Sequence, residues 1–517
     1  YYAPESERTR LPDMDVLDTN RVLGYGVATD LEQALAGKTG AWLVLWQDEV
    51  IDPLGVVDEL LTRASAEPPQ ERHFWHVRVR HYPSIPLSPE ARFRPEPPIA
   101  QKAHINFGGA LALVGLTQEA NGGLILYWQA LRPLTEDFKV TLRLVDEMGF
   151  VWGHAADRRP AAYGHPTFRW RPGEIIPGRY EAIPADPGTP PGDYWLEIGI
   201  YEEATARALD VLDASSAPQG RRAMVGPVKL EHAVPVSDER SLPMQRRLNV
   251  PLGEDVEWVG YSLDRAEGEP GDLLHLALWL RTRQGEGDSY NLWLAWSGPD
   301  GALADSWLRP VSLIHTGPPG SIVRAQVSLP IYRQATPGEW QLRLALTRGV
   351  ESRMPDVWTT LAAIQVRPTT RNFTVPPVQR PSGASFAGQA ILIGADLSAE
   401  TTRPGATVSI TITWQAGEPM TRNYTAFVHL LGPDGRMVAG QDAPPGGDAR
   451  PTVTWVTGEV LSRRFDLPLP RDAAPGDYAL EIGLYDAQKP GFPRLSATSS
   501  QGEALGNRVL LGTVRVE

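Results

Sequence analysis

The chain has 517 residues, 42% of them hydrophobic, and a formal net charge of −13. That length exceeds what one core serves and sets an expectation of about three to four domains, while the acidic balance argues against a nucleic-acid surface, which needs clustered Lys and Arg. The absence of Cys excludes disulfides, thiolate nucleophiles and Cys-ligated metal, and no apolar run reaches the roughly 18–20 residues that a membrane helix requires.

The chain opens at Tyr1 with neither Met nor a signal-peptide pattern, so a processed or partial product is expected. Residues 1–85 read as an α/β segment. Residues 29–37 carry a capping residue, an acidic first turn and a terminal Gly, the signature of a short helix. The run 41–47 reads as a buried apolar strand. Asp52-Pro53 opens a second helix through Val56, Val57, Leu60 and Leu61, and 73–82 alternates as a second strand. Two strands are too few for a stable parallel sheet, whose faces both need cover. The segment is therefore expected to be incomplete or to dock on something else. Residues 86–100 follow as a stiff Pro-rich linker.

Beyond the linker the Gly and Pro residues punctuate short apolar runs, the pattern of strands joined by turns. Three β-sandwiches are predicted, over 101–233, 245–368 and 383–517. In the first, strands are placed at 110–116, 124–129, 139–145, 149–153, 178–183, 193–201 and 224–230; in the third, at 390–395, 408–415, 425–431, 437–440, 462–467, 477–485 and 509–516. The overall expectation is a mainly β protein of three tandem immunoglobulin-like or fibronectin-like sandwiches after a small α/β segment.

The first and third sandwiches are copies. Trp128-Gln129-Ala130, Pro166-Thr167, Trp170, Gly173-Glu174 and Pro191-Gly192-Asp193-Tyr194 recur as Trp414-Gln415-Ala416, Pro451-Thr452, Trp455, Gly458-Glu459 and Pro475-Gly476-Asp477-Tyr478. The middle module is a degenerate copy. Its Gly298-Pro299-Asp300-Gly301 matches Gly432-Pro433-Asp434-Gly435, a turn in which Pro fixes φ and Gly accepts a positive φ, and its Pro337-Gly338-Glu339-Trp340 matches Pro475 to Tyr478. It lacks the Trp-Gln-Ala and Pro-Thr-x-x-Trp elements, which points those elements to a surface particular to modules one and three.

Pro-Gly-Asp-Tyr reads as a turn into a core strand, with the Tyr hydroxyl bonded to nearby backbone. Trp170 and Trp455 are large corner or core residues on one reading and sugar-stacking platforms on another. Trp293 and Trp296 are an odd number of positions apart on one strand, so they face opposite sides and one of them is expected to be exposed. With Trp279 and Trp307 nearby, the middle module has the best claim to a carbohydrate-binding surface. Asp300, Asp434 and Asp146-Glu147 read as turn residues or calcium-ligand candidates. The His residues form no His-Glu-x-x-His pair, and no Gly-x-Ser-x-Gly elbow occurs. No catalytic, cofactor-binding or metal residue is assigned, and no cofactor is called for.

Tyr1-Tyr2-Ala3-Pro4, the run from Ala41 to Gln47 with Asp52-Pro53, and the pattern Trp414-Gln415-Ala416, Tyr424 to Leu430, Pro451-Thr452-x-x-Trp455 and Pro475 to Tyr478 resemble the extracytoplasmic C-terminal regions of bacterial membrane glycosyltransferases. These are similar to protein mannosyltransferases and belong to filamentous bacteria of the Chloroflexi type. The resemblance spans most of the chain. It implies an enzyme that takes sugar from a polyprenyl phosphate through acidic residues between membrane helices, none of which this sequence contains. What it implies here is a non-catalytic accessory or scaffolding region, extracytoplasmic and attached to the cell surface or membrane through an upstream part. The partners so implied are a membrane-embedded catalytic domain and a glycan. The rival readings are a structural surface protein whose tandem sandwiches self-associate, and a carbohydrate-binding module protein.

Overall fold

A computed structural model of the chain describes residues 8–12, 18, 22–46, 48–85, 93–214, 216, 218–252, 254–283, 289–304, 312–315, 318–348, 355–487 and 492–517. Tyr1 to Pro4, Gln47, Trp307 and the 86–92 part of the predicted linker lie outside them. The chain divides into two compact units, Tyr1–Val234 and Pro235–Glu517. Among the described residues no helix is long and apolar enough to cross a membrane.

The protein is mainly β, and its sandwiches share one topology. In the first unit, Gln101–Phe107, Leu111–Gln118, Leu124–Ala130 and Ile175–Tyr180 pair in that order in one sheet; Ala223–Leu230, Gly192–Glu202, Phe138–Val145 and Val151–Arg158 pair in that order in the facing one. The same order returns in the second unit with Arg380–Phe386, Ala390–Leu397, Thr407–Ala416 and Val460–Pro468 against Val509–Val516, Gly476–Tyr485, Thr425–Leu431 and Met437–Ala443. It returns again with Arg246–Leu252, Val256–Leu263, Leu273–Thr282 and Ile322–Pro330 against Thr359–Val366, Gly338–Arg348, Ser289–Ser297 and Ser312–His315. The opening strands Gln101–Phe107 and Arg380–Phe386 were not expected from the sequence. Alternation explains the inward rows: Phe138, Val140, Leu142 and Leu144 are all buried.

A corner bond is shared by the three sandwiches. The Tyr194 hydroxyl donates to the Pro190 carbonyl at 2.8 Å, Tyr478 to Ala474 at 2.8 Å, and the Trp340 indole to Thr336 at 3.0 Å. Each donor reaches back four residues, tying the turn before its strand to the strand itself.

The N-terminal segment departs from its prediction in three ways. Its sheet is antiparallel, with Val77–Tyr82 in the middle between Ala41–Leu45 and Gln70–Phe74, so the parallel-sheet problem does not arise. The run 73–82 is not one strand: it folds into a hairpin at Trp75-His76, where His76 takes φ 56°. The described run 41–46 is covered on one side only: Leu45 is buried, but Trp42, Val44 and Trp46 are 58, 61 and 65% exposed. The helices are Val27–Ala34 and Val56–Ala64, with a turn of helix at Asp48–Ile51 between them. The Asp52 carboxylate accepts from the Val56 and Val57 amides at 2.8 and 3.0 Å, filling the amide groups that open the second long helix. Burial pushes that carboxyl up to about 6. Val27, Leu31, Val56, Leu60 and Phe93 belong to one apolar core with Leu113, Trp128, Ile176 and Leu196, so the segment docks on the first sandwich. Arg179 holds the contact, donating to the Leu54 carbonyl at 3.1 Å and pairing with Glu59, which also accepts from the Tyr25 hydroxyl at 2.8 Å.

The repeated Glu of Leu-Glu-Ile-Gly faces outward and is paired across strands. Glu197 accepts from Arg143, directly opposite it, at 2.6 Å and from Arg222 at 2.8 Å. In the third sandwich Glu481 takes Arg508 at 2.7 Å, and the residue opposite it is His429, whose ring nitrogens lie 3.0 Å from Glu481 and 3.1 Å from Asp442. Burial opposes protonation of His429, but the two carboxylates outweigh it and raise the imidazole above its ordinary value. A raised folded-state value means that this pairing contributes fully below about pH 6.5 and is lost as pH climbs through the raised value. Urea unfolding across that window should show the second unit losing stability on the alkaline side, and His429→Gln should flatten the dependence. An unchanged slope in the variant would remove His429 as its source.

Candidate functional site

The residues repeated between modules one and three converge on one loop in each. Pro166 and Pro451 lead into single 3-10 turns, Thr167–Arg169 and Thr452–Thr454. The buried Thr167 hydroxyl donates to the Glu136 carbonyl at 2.8 Å and accepts from the Phe138 amide at 3.0 Å. Thr452 does the same with Arg422 and Tyr424, at 2.9 Å each. Trp170 donates to the His165 carbonyl at 3.1 Å and Trp455 to Arg450 at 3.0 Å. Gln129 and Gln415 reach the carbonyls of Gly173 and Gly458 at 2.7 and 3.4 Å, and those glycine amides bond back to Ala130 and Ala416. Trp-Gln-Ala, Pro-Thr-x-x-Trp and Gly-Glu are thus parts of one closed loop system. A buried Thr hydroxyl satisfying a carbonyl and an amide at once is why Thr is required there.

In both units this loop meets the element that precedes its module. In the first, Glu174 lies against Gly24 of the α/β segment, where an added Cβ would come 2.4 Å from its Oε1. Burial raises the Glu174 carboxyl above the usual range. In the second unit the contact is with the middle sandwich and is strongly polar. The Arg371 side chain has 0% exposure and pairs with Glu459 at 2.6 Å and Asp272 at 3.0 Å, while also donating to the Thr454 carbonyl at 2.9 Å. Arg450 adds a second bond to Asp272 at 3.0 Å. Arg333 of the middle module donates to the carbonyls of Trp455 and Val453 at 3.1 and 2.9 Å. Burial first, and then the Arg371 charge, pull the Arg333 guanidinium below its usual range. A cleft of about 250 Å³ opens beside it, lined by Tyr332, Gln334, Pro419, Val456 and Thr457.

The proposed sugar-stacking residues are in the interior. Trp170 and Trp455 are 3 and 2% exposed, in matching surroundings. Trp293 and Trp296 are both fully buried, which corrects the expectation that one of them would face solvent. Alternation assigns them to opposite faces of Ser289–Ser297, but both faces of that strand are covered: every residue from Tyr290 to Trp296 is buried. Their indole groups are satisfied within the protein, Trp293 by the Thr347 hydroxyl at 2.8 Å and Trp296 by the Pro330 carbonyl at 3.1 Å. Trp279 is 1% exposed. The acidic turn residues are occupied with backbone: Asp300 accepts from Ala302 at 3.1 Å, Asp434 from Arg436 at 3.1 Å, and Asp146 from Met148 and Phe150 at 2.9 Å each. Among the described residues no cluster of His, Asp and Glu forms a metal cradle.

A group of exposed aromatic side chains lies elsewhere: Trp42, Trp46, Phe74 and Trp75, at 58, 65, 56 and 88% exposure, sit together on the small N-terminal sheet and its hairpin tip. The strand run from Ala41 was visible in the sequence. Its solvent exposure was not, because an apolar run carries no sign of which element will cover it.

No family model matches the chain, and no curated protein matches it. Among solved structures, the crystal structure of the C-terminal domain of wzt is similar at 16% identity, over 27% of this chain and 82% of that one, with a TM-score of 0.19. That likeness is too distant to bear on function.

Arg371→Met strips Glu459 of its buried counter-charge and leaves Asp272 with Arg450 alone. It should lower the unfolding free energy of the second unit by about 3–5 kcal/mol, read by urea unfolding of the full chain with tryptophan fluorescence. Adding Glu459→Gln should recover part of that loss, because the amide keeps a partner for the Val456 N–H, now 3.0 Å from the carboxylate. Equal losses in the single and double variants would contradict the pairing.

Proposed function

We propose that this chain is the extracytoplasmic accessory and scaffolding region of a membrane glycosyltransferase, holding position for a catalytic part that lies outside it. The observation that supports this reading is the use made of the repeated residues. They build the loop on which one module is seated against its predecessor: Thr452 and Trp455 close the loop within the third sandwich, and its Glu459 and backbone carbonyls receive Arg371 and Arg333. A protein that invests its most distinctive residues in internal joints is suited to hold partners at fixed spacing. The sequence resemblance supplies the class of partner, an integral-membrane enzyme that draws sugar from a polyprenyl phosphate.

The test is recovery from native membranes. An antibody to the chain, applied to detergent extracts of the source cells, should co-purify polyprenyl-phosphate-dependent sugar transfer, and protease added outside intact cells should cleave the chain. Recovery of the chain from the cytosolic fraction, or capture from membranes without transfer activity, would overturn the reading.

A further inference from the structure

The outer face of the N-terminal sheet has a composition unlike the solvent-facing sides of the sandwiches. Strand pairing fixes which side chains share it: Trp42 lies opposite His81, Val44 opposite Val79, Arg72 opposite Val79 and Phe74 opposite Val77. Trp46 continues the alternation of Trp42 and Val44 just past the strand end. The Trp42 ring stacks on His81 at 4.0 Å.

This face is graded along the strands. At the hairpin end Trp46, Val77 and Phe74 form an apolar row, and Trp75 projects beyond it with 88% of its surface bare. At the opposite end stand Trp42, His81 and Gln70, with Arg72 between the two rows. On the other face of the sheet carboxylates are paired, Glu71 with Arg80 and His73, Asp58 with Arg80, and Asp48 with Arg78 at 2.5 Å. Arg72 has no ion-pair partner among the described residues. On a chain of net charge −13 this patch therefore presents a cation and no carboxylate.

An apolar tip row containing Trp46, an exposed cation in the row behind it and an amphipathic Trp in the row behind that match a bilayer surface, with the acyl boundary at the tip and the anionic headgroup level behind it. A glycan platform would need polar groups beside its most exposed rings, and here the rings at the hairpin end, Trp46 and Phe74, flank Val77, while the polar Gln70 and His81 stand at the far end. A bare Trp on a protruding tip has the shape of a wedge and not of a seat for another protein. We propose that this face and the Trp75 tip insert into the interfacial layer of a membrane containing anionic phospholipid. The proposal stands apart from the glycosyltransferase reading, since it concerns what the isolated chain does with lipid alone.

The test uses the full chain and vesicles of equimolar phosphatidylcholine and phosphatidylglycerol. The chain should float with the vesicles, and brominated acyl chains should quench its tryptophan emission. Trp46→Ser with Trp75→Ser should weaken partitioning roughly tenfold or more. Arg72→Ala should weaken it about fivefold on anionic vesicles and leave binding to neutral ones unchanged. All three side chains are exposed, so unchanged circular dichroism and melting would certify the variants as folded. The proposal falls if the chain stays in solution, or if the double Trp variant still floats. It also falls if these Trp residues instead carry self-association or oligosaccharide binding while the vesicles are ignored.

Discussion

A guanidinium cannot be deprotonated in a protein, so an Arg side chain with no exposed surface dictates its surroundings. Arg371 is in that position, and its partners come from two separate stretches: Asp272 from a turn of the middle sandwich, and Glu459 with the Thr454 carbonyl from the loop of the third. The turn around Asp272 must come close for this to work. Gly271 sits at φ 84°, and a Cβ there would lie 2.7 Å from the Thr454 carbonyl, so this position takes no other residue without displacing the backbone. Buried pairs of this kind add little net stability over apolar packing of the same volume. What they add is discrimination, because any displaced seating leaves charges buried without partners. The nearby segment follows the same logic, with Thr370 donating to Glu269 through both its amide and its hydroxyl at 2.8 Å.

The first unit solves the equivalent problem with the same loop and different chemistry. Its Thr167, Trp170 and Gln129 bonds repeat those of Thr452, Trp455 and Gln415, so the loop is built identically. Its carboxylate, Glu174, meets Gly24 and not a buried cation, and the load of the contact is carried by a shared apolar core and by Arg179. The duplicated residues specify the shape of the loop, and the residues around it specify what it receives.

The strands of the sandwiches were legible because alternation and turn chemistry agreed along each of them, and because two copies could be read against one another. The opening strands escaped because Gln101–Phe107 mixes polar residues into both faces and Arg380–Phe386 carries Pro and Gly, which weaken a strand pattern. The hairpin at His76 was missed because a non-Gly residue in the left-handed region leaves no signal in the sequence. Exposure was the least legible property. Periodicity tells which side of a strand a side chain takes but not whether that side is covered, and it failed in both directions: Trp293 and Trp296 are covered on two faces, while Trp42 and Trp46 are bare. The loop's role was hidden for a related reason, since its partners Asp272 and Arg371 lie far from Glu459 in sequence.

Because the Pro-Thr-x-x-Trp loop belongs to the module that follows and not to the element that precedes, each copy travels with its own connector. A duplication event that inserts such a copy brings along a ready receiving surface, and the upstream neighbour needs only a fitting turn or a well-placed basic side chain to engage it. Length can then grow by copying, with a few substitutions upstream where a new interface would otherwise have to be invented.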